Sequence, residues 1–544
     1  MSKRPSSPVE ASTPTAGPSR HTDLSAKKRT AANGSAPQDE DDEGMGEFED
    51  RFEDEFESED DGEVVDAASD SEDDEEGEDG EGMEIDGVKV SGKIQRPEGE
   101  DDEVGGGPET QAWLAGAQPL EEGQVLEPDQ SAYEMLHRMG VNWPCLSFDV
   151  LLDNLGPAED RVRYPHTAYF AAGTQADTAK NNELIVYKAS SLHRTIKDGD
   201  ESEDDDDDDD DEGLDDDAIL ESKSIPHLGG VNRVRAAPVA PPSAGSEPTL
   251  DPYPVAVWSE LGSVGIWDVR PLYNALERPG PFDKARASKA LHTVPHSTEG
   301  YAMDWAGSSS GAGRQSSLRL LSGDGHGLIK LTTSNNAGYT THAAPFTSHT
   351  SSVEDLQWSP KEPTVFASCS ADRSIRIWDV RVKSHKSVIA LDEAHEQDVN
   401  VISWNRKTDY LLLSGGDEGG LNVWDLRNFK PSSSNAARPT SVANFRWHQA
   451  PVSSVEWHPS EDSVFAASGR DDQVTLWDLS VEMDDEEQPG NAQKGPNGED
   501  VPSQLLFCHH GASEIKEVHW HPQIQSMLIT TSADGFHLFK TISV

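Results

Sequence analysis

The sequence predicts an all-β fold, a seven-bladed propeller, from a motif that occurs three times. In each copy a His is followed nine residues later by a Trp, and a Trp-Asp pair begins twenty residues after that Trp. The three copies contain His349, Trp358 and Trp378; His395, Trp404 and Trp424; and His448, Trp457 and Trp477. Successive Trp-Asp pairs lie 46 and 53 residues apart, close to the ~40–45 residues of one propeller blade. Each copy therefore predicts one four-stranded blade.

Four less regular segments bring the predicted number of blades to seven. The third strands of the seven blades are expected to end at Tyr187, Trp267, Leu331, Trp378, Trp424, Trp477 and Phe539. Blade seven keeps the spacing, because His510 lies 29 residues before Phe539, as His349 lies before Trp378. Residues 153–544 are thus predicted to form the propeller, with an acidic insertion at 198–217 and a loop insertion at 481–503.

A short helix is predicted over residues 131–139. Ser131 and Glu134 form a capping box, and Gly140 supplies a stop signal. Its apolar face would contain Tyr133, Leu136 and Met139. The next segment, 145–150, alternates like a strand, and we expect it to complete the last blade and close the ring. Helix and closing strand together make up the predicted region 129–152.

Two short tracts hold most of the formal net charge of -58. Residues 39–86 contain 28 carboxylates and one Arg, and residues 198–217 contain 16 carboxylates and no base. Both tracts have too few apolar residues to offset the entropy lost on ordering, so we expect both to be disordered. Residues 1–128 are accordingly predicted to be a disordered region, rich in Ser and Pro and then acidic.

The composition argues against secretion and against a membrane span. Three cysteines cannot form a framework of paired disulfides, which indicates a reducing compartment. No run of about eighteen apolar residues is present. A Cys/His cluster between 508 and 521 has ligand chemistry, but His458 repeats part of the pattern after Trp457, so no metal site is expected.

Residue types of a catalytic triad occur in the blades, but their repetition favours a structural role. A carboxylate six residues before the blade Trp, as at Asp372 and Asp471, can bind the loop His and pin the blade. The predicted network comprises His349, Asp372, Trp378, His395, Trp424, His448, Asp471 and Trp477. We therefore expect no enzymatic activity, no cofactor and no metal.

The predicted function is binding of a partner, and the ring offers three candidate binding surfaces. Channel-mouth positions of the first strands are candidate binding residues: Asn232, Tyr301, Glu354, Asn400, Ser453 and Lys516. The predicted helix and the acidic insertion form a candidate client-binding surface: Tyr133, Leu136, Met139, Glu203, Asp204, Asp205, Asp206, Asp207, Asp208, Asp209, Asp210, Asp211 and Glu212. The opposite rim carries three Trp-Asp-x-Arg boxes, which end at Arg270, Arg381 and Arg427.

The ten consecutive carboxylates of 203–212 point to a basic client. Such a tract creates a strong negative potential that accelerates capture of a cationic protein and weakens with added salt. It resembles nucleic acid in charge, so it can shield the basic residues of a protein that would otherwise bind nucleic acid. Direct binding of nucleic acid is disfavoured for the same reason. A role of the tracts in solubility alone is the simpler alternative.

Residues 132–137, which lead into Trp143-Pro144-Cys145-Leu146, resemble the start of the histone-binding WD-repeat family, whose N-terminal helix borders a groove for a basic peptide. With the acid tracts and the blade sequence at 413–421, the chain resembles more closely the ribosome-assembly WD-repeat family. That resemblance implies a monomeric propeller in the nucleus and nucleolus, with cytoplasmic shuttling. It implies an escort for a basic protein, the third large-subunit ribosomal protein, on its way to pre-60S particles.

Two rival functions share the same features. A histone chaperone or chromatin-complex subunit would have the same fold and would also use negative charge to bind a basic client. The identity of the basic client that copurifies distinguishes it. A substrate receptor of a cullin-RING ubiquitin ligase is suggested by the three Trp-Asp-x-Arg boxes, whose rim would dock an adaptor. For the escort of a ribosomal protein, by contrast, contact with pre-ribosomal particles is expected to be indirect, through the client.

Overall fold

Short antiparallel strands account for most of the regular structure. A computed structural model describes residues 128–195, 217–239, 251–307 except 279 and 281, 318–429, 439–482, 495, 498 and 500–544. Three predicted features lie outside those ranges. They are the region before residue 128 that is predicted to be disordered, residues 198–216 of the acidic insertion, and most of the 481–503 insertion. No helix within the described ranges is long and apolar enough to cross a membrane.

The described strands form seven sheets, one for each blade of the propeller. β1 (Tyr133–Gly140) comes first in the chain. Blade one contains β2 (Cys145–Leu151), β3 (His166–Thr174), β4 (Glu183–Leu192) and β5 (Ile219–Pro226). Blade two contains β6 (Val231–Ala236), β7 (Pro254–Ser259), β8 (Ser263–Asp268) and β9 (His292–Pro295). Blade three contains β10 (Met303–Ala306), β11 (Arg319–Gly323), β12 (Leu328–Asn335), β13 (Gly338–Thr341) and β14 (Phe346–Thr347).

The remaining four blades are built in the same order. Blade four contains β15 (Val353–Trp358), β16 (Val365–Ser370), β17 (Ile375–Asp379) and β18 (Ile389–Leu391). Blade five contains β19 (Val399–Trp404), β20 (Leu411–Gly416), β21 (Leu421–Asp425) and β22 (Ala443–Phe445). Blade six contains β23 (Val452–Trp457), β24 (Val464–Gly469), β25 (Gln473–Asp478) and β26 (Leu505–His509). Blade seven contains β27 (Val518–Trp520), β28 (Leu528–Thr531) and β29 (Gly535–Thr541), and is completed by β1.

Helices are short and lie outside the blades. α1 (Arg270–Glu277) and α2 (Lys284–Ala287) connect β8 to β9. The described residues also contain single 3-10 turns at Gln130–Ala132, Ala158–Asp160 and Leu426–Asn428. The amphipathic α1 buries Leu272, Tyr273 and Leu276 in the core shared by blades one and two.

Ring closure uses a different strand from the one that the sequence suggested. β2, which includes residues 145–150, is the first strand of blade one and pairs with β3. The closing strand is β1, which pairs antiparallel with β29 from Tyr133 opposite Thr541 to Gly140 opposite Gly535. An N-terminal strand does complete blade seven and covers its open edge, but the assignment of that role to 145–150 is wrong.

The predicted helix over 131–139 is also wrong, because most of this segment is β1. Tyr133, Met135 and Met139 are buried, while Leu136 is only partly buried. Burial at alternate positions is the pattern of a strand with one face in the core. The helical interpretation relied on the three-residue spacing of Tyr133, Leu136 and Met139 and overlooked Met135, which is fully buried.

A buried network holds the His and the Trp of blade four together. His349 Nδ1 lies 2.9 Å from Asp372 Oδ2, and His349 Nε2 lies 2.6 Å from Ser368 Oγ. Trp378 Nε1 donates to the same Ser368 hydroxyl at 2.8 Å. Although burial opposes ionisation of Asp372, hydrogen bonds from His349 and Ser374 hold the pKa of its carboxyl well below the usual range. The network thus satisfies polar groups that the blade buries.

Blades five and six repeat this network with small substitutions. In blade five, His395 lies 2.5 Å from Glu418 Oε1 and 2.7 Å from the hydroxyl that also accepts from Trp424 Nε1. In blade six, His448 lies 3.0 Å from Asp471 and 3.0 Å from the Thr hydroxyl that accepts from Trp477 Nε1. The repetition of one arrangement in successive blades identifies these residues as part of the scaffold.

Blade three keeps a related network in spite of its degenerate sequence. Thr332, rather than Leu331, occupies the position of the blade Trp, because it pairs with β11 as Trp378 pairs with β16. His296 Nδ1 nevertheless lies 3.1 Å from Asp324 Oδ2. The prediction at Leu331 is therefore wrong by one residue, since no Trp marks the register in this blade.

In blade seven the buried loop histidine is His509, rather than the predicted His510. The His509 ring stacks on Phe539 with centroids 4.2 Å apart, and its Nε2 lies 3.0 Å from His537 Nδ1. Its Nδ1 lies 2.8 Å from the Tyr133 hydroxyl. Since Tyr133 belongs to β1, the network of the last blade also fastens the closing strand.

We expect Asp372→Ala to lower the free energy of unfolding by about 1–3 kcal/mol. The substitution removes the acceptor shared by the His349 ring and the Thr350 backbone N–H. Chemical denaturation monitored by tryptophan fluorescence measures the change. Asp392→Ala is the matched control, because the Asp392 side chain is 75% exposed. Equal stabilities of the two variants would show that the network contributes nothing beyond a surface contact.

Buried charges connect the first strands around the ring closure. Glu517 of blade seven is 1% exposed, and its carboxylate accepts a hydrogen bond from Phe148 N of blade one at 2.9 Å. The same carboxylate lies 2.7 Å from Arg233 and 2.8 Å from Arg235, both in blade two. One side chain therefore joins three blades across the point where the ring closes.

His519 extends this cluster to blade six. Its Nδ1 lies 2.9 Å from Glu456 Oε2 and its Nε2 lies 3.6 Å from Glu517 Oε1. Burial opposes protonation of His519, but the two carboxylates outweigh it and raise its pKa to about 10. Burial likewise opposes ionisation of Glu517, yet the neighbouring cations, first Arg235, hold its pKa well below the usual range. Both groups are therefore charged at neutral pH.

Candidate functional site

The predicted client-binding residues of the N-terminal segment belong to the core. Tyr133 and Met139 are 4% and 6% exposed, and Leu136 is only partly buried. Tyr133 packs edge-on against Phe507, with ring centroids 5.2 Å apart. The hypothesis that a client packs on an exposed helical face formed by these side chains is therefore wrong.

The acidic residues of the predicted client site, from Glu203 to Glu212, lie outside the described residues, but the chain on both sides of them is placed. Before the insertion, Thr195 N donates to Glu134 O at 2.9 Å and Leu136 N donates to Thr195 Oγ1 at 2.8 Å. After it, the chain enters β5, the outermost strand of blade one. The two flanks of the acidic insertion thus lie at the outer strands of blades seven and one.

Three predicted channel-mouth residues link neighbouring blades. Asn232 Nδ2 donates to a carbonyl at the entrance to blade three at 3.4 Å. Asn400 Nδ2 donates to a carbonyl of blade six at 3.1 Å, and Ser453 Oγ donates to a carbonyl at the entrance to blade seven at 3.2 Å. These contacts give the three side chains a structural role at the mouth, whether or not a ligand also reaches them.

Of the other three predicted mouth residues, Tyr301 is exposed, whereas Glu354 and Lys516 are half-buried. Tyr301 is 38% exposed, Glu354 is half-buried, and Lys516 forms an ion pair with Glu514 at 3.4 Å. Burial, followed by the charges of Glu299 and Glu354, raises the pKa of the Tyr301 hydroxyl. The mouth therefore presents an aromatic ring with carboxylates close to it.

Four exposed apolar side chains lie on the face where the first strands begin. This apolar patch consists of Trp143, Leu228, Leu261 and Tyr301, which are 38, 61, 58 and 38% exposed. Among the described residues, the other exposed large apolar side chains lie at or beyond the opposite ends of the strands. The face thus concentrates apolar surface on blades one to three and on the connection from blade seven.

Hydrogen bonds join the loops that carry the apolar patch. Gln175 N donates to Pro144 O at 2.9 Å, and Gln175 Nε2 donates to Val231 O at 3.1 Å. Glu260 N donates to Gly230 O at 3.0 Å. These bonds join the Trp143 loop, the entrance to blade two and the turn that carries Leu261.

The apolar patch has more carboxylates than cations around it. Asp177, Glu260 and Glu299 are exposed in the same loops, where Lys180 is the exposed cation. Only a weak signal in the sequence marks this site: Leu228 and Leu261 each precede Gly in a turn, where polar residues are more usual. Periodicity identifies the faces of strands, so it could not identify apolar residues in turns.

Of the three arginines predicted for the opposite rim, two are exposed. Arg381 and Arg427 have side chains that are 70% and 62% exposed, and each pairs with the Asp two residues before it. Arg427 also lies over the Tyr410 ring, 3.6 Å from its centroid. Arg270 is only 5% exposed and lies over the Tyr253 ring at 4.8 Å. Arg270 is therefore part of the α1 packing.

Burial keeps two of the cysteine thiols in the protonated form. Burial raises the pKa of the Cys145 and Cys508 thiols to about 12, so neither is a thiolate at neutral pH. Within the described ranges, no group of three or more His, Cys, Asp or Glu residues is arranged to hold a metal ion.

Two family models match the chain. The model of the histone-binding protein RBBP4, a family that includes a component of the CAF1 complex, matches residues 123–193, which include β1 and the first three strands of blade one. The model described as WD domain, G-beta repeat matches residues 340–379, 386–425 and 439–478. These three matches coincide with the regular blades four, five and six.

Some relatives match most of the chain, and another matches a shorter part of it. Ribosome assembly protein rrb1 of Schizosaccharomyces pombe is 42% identical over 483 residues, which are 89% of this chain and 93% of the relative. Glutamate-rich WD repeat-containing protein 1 of Dictyostelium discoideum is 43% identical over 439 residues, 79% of this chain and 84% of the relative. Histone-binding protein MSI1 of Saccharomyces cerevisiae is 34% identical over 131 residues, 24% of this chain and 29% of the relative.

Proposed function

Because this chain belongs to the WD-repeat family of ribosome assembly protein rrb1 and glutamate-rich WD repeat-containing protein 1, we propose that it acts in ribosome biogenesis as an escort for a basic protein. The client is a ribosomal protein of the large subunit, and the third such protein is the first candidate. The escort works in the nucleus and nucleolus, without catalysis, and delivers its client to pre-60S particles. It meets those particles through the client.

The apolar patch with its surrounding carboxylates is the observation that carries this proposal. Leu228 and Leu261 each expose more than half of their surface on the same face, and exposed apolar side chains that cluster mark a candidate protein-binding surface. A segment that alternates apolar and basic residues matches this surface, since its apolar groups fit the two leucines and its Lys or Arg groups face Glu260 and Glu299. Aromatic groups at Trp143 and Tyr301 add the kind of side chain that dominates binding energy at interfaces.

The acidic insertion supports the same function by its charge and by the position of its flanks. Ten consecutive carboxylates raise the rate at which a basic protein is captured, and they do so most strongly at low salt. The flanks lie at the outer strands of blades seven and one, and Trp143 lies in the connection between the same two blades. In this proposal the insertion accelerates association, and the apolar patch sets the rate of dissociation.

Substitution of the two leucines tests the proposed surface. We expect the pair Leu228→Ser and Leu261→Ser to accelerate dissociation of the purified large-subunit protein by about tenfold or more, because each lost anchor costs upward of ~1 kcal/mol. Surface plasmon resonance with the full chain measures the rates. The matched control is Leu155→Ser with Val162→Ser, two residues that are 48% and 66% exposed outside the patch. The same dissociation rate in both pairs would contradict the assignment of the client to this face.

Histone binding is the second candidate function, favoured by the RBBP4 family model over residues 123–193 and by the partial similarity to MSI1. A histone carries the same clustered basic charge, so the apolar patch and its carboxylates do not discriminate between the two clients. Parallel titration of the chain with histones H3–H4 and with the large-subunit protein separates them, because the true client retains affinity at physiological salt. A role as ubiquitin-ligase receptor remains a prediction based on the Trp-Asp-x-Arg boxes of Arg381 and Arg427.

A further inference from the structure

Blade five contains a cavity at a position that blade four fills with its own arginine. The cavity has a volume of about 640 Å³ and lies beside β21 and β22 and the loop that enters blade five. Its lining includes Glu396, Glu418, Gly420, Asn422 and Arg446. The His395 and Trp424 of the blade network form part of its wall.

Strand register identifies the side chain that is missing. Asn422 pairs with β20 at the position where Arg376 pairs with β16 in blade four. In blade three the same position holds Lys330. Two consecutive blades therefore place a long basic side chain here, and blade five places a short neutral amide. In blade five the shorter Asn422 accepts a hydrogen bond from Asn444 Nδ2 at 2.5 Å, and the cavity lies beside this pair.

The contacts of Arg376 show what this position offers to a guanidinium group. Its Nε donates to Ser374 Oγ at 3.1 Å, and one terminal nitrogen donates to Asp392 at 3.3 Å. The same nitrogen lies 3.9 Å from Asp372 Oδ2, the carboxylate that binds the network histidine. Blade four thus binds its own guanidinium next to the carboxylate of the blade network.

Blade five retains a carboxylate as the partner of its network histidine, and has a smaller residue beside it. Glu418 replaces Asp372 as the partner of the network histidine, and Gly420 stands where blade four has Ser374. A Cβ at Gly420 would lie 2.9 Å from Glu418 Oε1, so a larger residue here would have to displace the end of the Glu418 side chain. The sequence therefore keeps the cavity open at two positions.

The charges of the lining favour a cation. Three carboxylates, Glu393, Glu396 and Glu418, face two guanidinium groups, those of Arg373 and Arg446. Arg446 already donates to Glu396 Oε1 at 2.6 Å. A planar guanidinium with five N–H donors fits a wall of carboxylate and amide oxygens better than an ammonium group does.

We propose that this cavity binds the side chain of an arginine from the basic partner, in the place that Arg376 occupies in blade four. The inference rests on the proposed function, because it names where one side chain of the client is held. It adds a second contact, in blade five, to the apolar patch on blades one to three. The cavity then selects for arginine, whereas the acidic insertion responds to positive charge of any kind.

Asn422→Arg tests the proposal by supplying the guanidinium from the chain itself, as blade four does. The probes are fluorescent tetra-arginine and tetra-lysine peptides, titrated into the full chain by fluorescence anisotropy. We expect the parent chain to bind tetra-arginine more tightly than tetra-lysine, and Asn422→Arg to weaken tetra-arginine binding by about tenfold, with tetra-lysine little changed. Gln449→Arg is the matched control, since it adds the same charge to an exposed residue of the loop between blades five and six, outside the cavity.

Glu396→Gln provides a second variant in case Asn422→Arg disturbs folding. Glu396 is exposed and lies outside the blade network, so this variant should keep the parent melting temperature and still lose affinity for tetra-arginine. Equal affinity of the parent for the two peptides would overturn the proposal, as would tetra-arginine binding that both variants leave unchanged. A cavity that binds inorganic phosphate in preference to either peptide would also overturn it.

The outcome for the cavity is distinguishable from the outcome for the proposed function. If the parent and Asn422→Arg bind the large-subunit protein equally and discriminate equally between the peptides, the cavity assignment fails and the escort function stands. If the parent does not bind the large-subunit protein but Asn422→Arg abolishes the preference for arginine, the function fails and the cavity remains an arginine site.

Discussion

A chain that begins at Cys145 should fail to give a soluble propeller, whereas a chain that begins at residue 128 should fold. The shorter chain lacks β1, so the whole edge of β29 is left without its partner strand. It also loses Tyr133, Met135 and Met139 from the core. Burial of each is worth roughly 1.5–3 kcal/mol, and the sum approaches the ~5–15 kcal/mol by which a domain is stable.

Soluble yield and the cooperativity of thermal unfolding measure this effect. The chain from residue 128 is the control, because it lacks the same acidic N-terminal residues but keeps β1. Truncation at residue 153, which removes both β1 and β2, would not distinguish the two strands. A soluble chain from Cys145 that unfolds at the same temperature as the chain from residue 128 would contradict the assignment of β1 as the closing strand.

Glu517→Gln should lower the free energy of unfolding by about 3–5 kcal/mol, the cost of breaking a buried ion pair from one side. Arg233 and Arg235 would lose the charge that both contact within 3 Å, and His519 would lose one of its two carboxylates. Denaturant titration measures the change. Glu514→Gln is the control, because Glu514 is 72% exposed and pairs only at the surface with Lys516. A loss no larger than that of the control would show that the cluster does not stabilise the ring.

The pH dependence of stability gives the same variant a second readout. The pKa of His519 rises from 6.5 to about 10 on folding, so the folded chain keeps a proton that the unfolded chain releases. The stabilisation of the folded chain by the protonated His519 is therefore complete below about pH 6.5 and is lost as the pH rises towards 10. In Glu517→Gln one of the carboxylates that holds this proton is absent. We expect its stability to fall less steeply than that of the parent between pH 7 and 10, and parallel curves would be inconsistent with the cluster.

The sequence was sufficient to predict the blades, because each one repeats a local pattern. His349, Trp358 and Trp378 lie within thirty residues of one another, and the strands of Trp358 and Trp378, β15 and β17, both pair with β16. Blades four to six could therefore be placed directly, and all seven blades are present. Blade three was misplaced by one residue where Thr332 replaces the Trp that marks the register.

The N-terminal segment could not be assigned from local pattern alone. β1 is a strand because β29, about four hundred residues later in the chain, offers it an edge. In isolation the segment has a cap-like start, a glycine stop and an apolar spacing of three, which are all features of a short helix. A tertiary contact with β29 overrides these local preferences, as is common in strands.

The candidate surface was only partly predictable for a related reason. Its apolar residues come from three connections between blades and one hairpin turn, which the ring brings together although they are far apart in sequence. The channel-mouth position of Tyr301 was predicted, since repeats align it, but Leu228 and Leu261 lie outside that alignment. The blade-five cavity depends on the difference between Asn422 and Arg376, which becomes meaningful only once strand register shows that the two positions correspond.

Hydrogen exchange of the full chain, alone and bound to the purified large-subunit protein, tests most directly whether the client occupies the apolar patch. We expect slower exchange in the loops at 141–145, 226–231, 259–263 and 298–302 when the client is bound, and no change in the loops of the opposite rim around Arg381 and Arg427. Protection confined to that opposite rim, with the patch loops exchanging as in the free chain, would contradict the proposed binding surface.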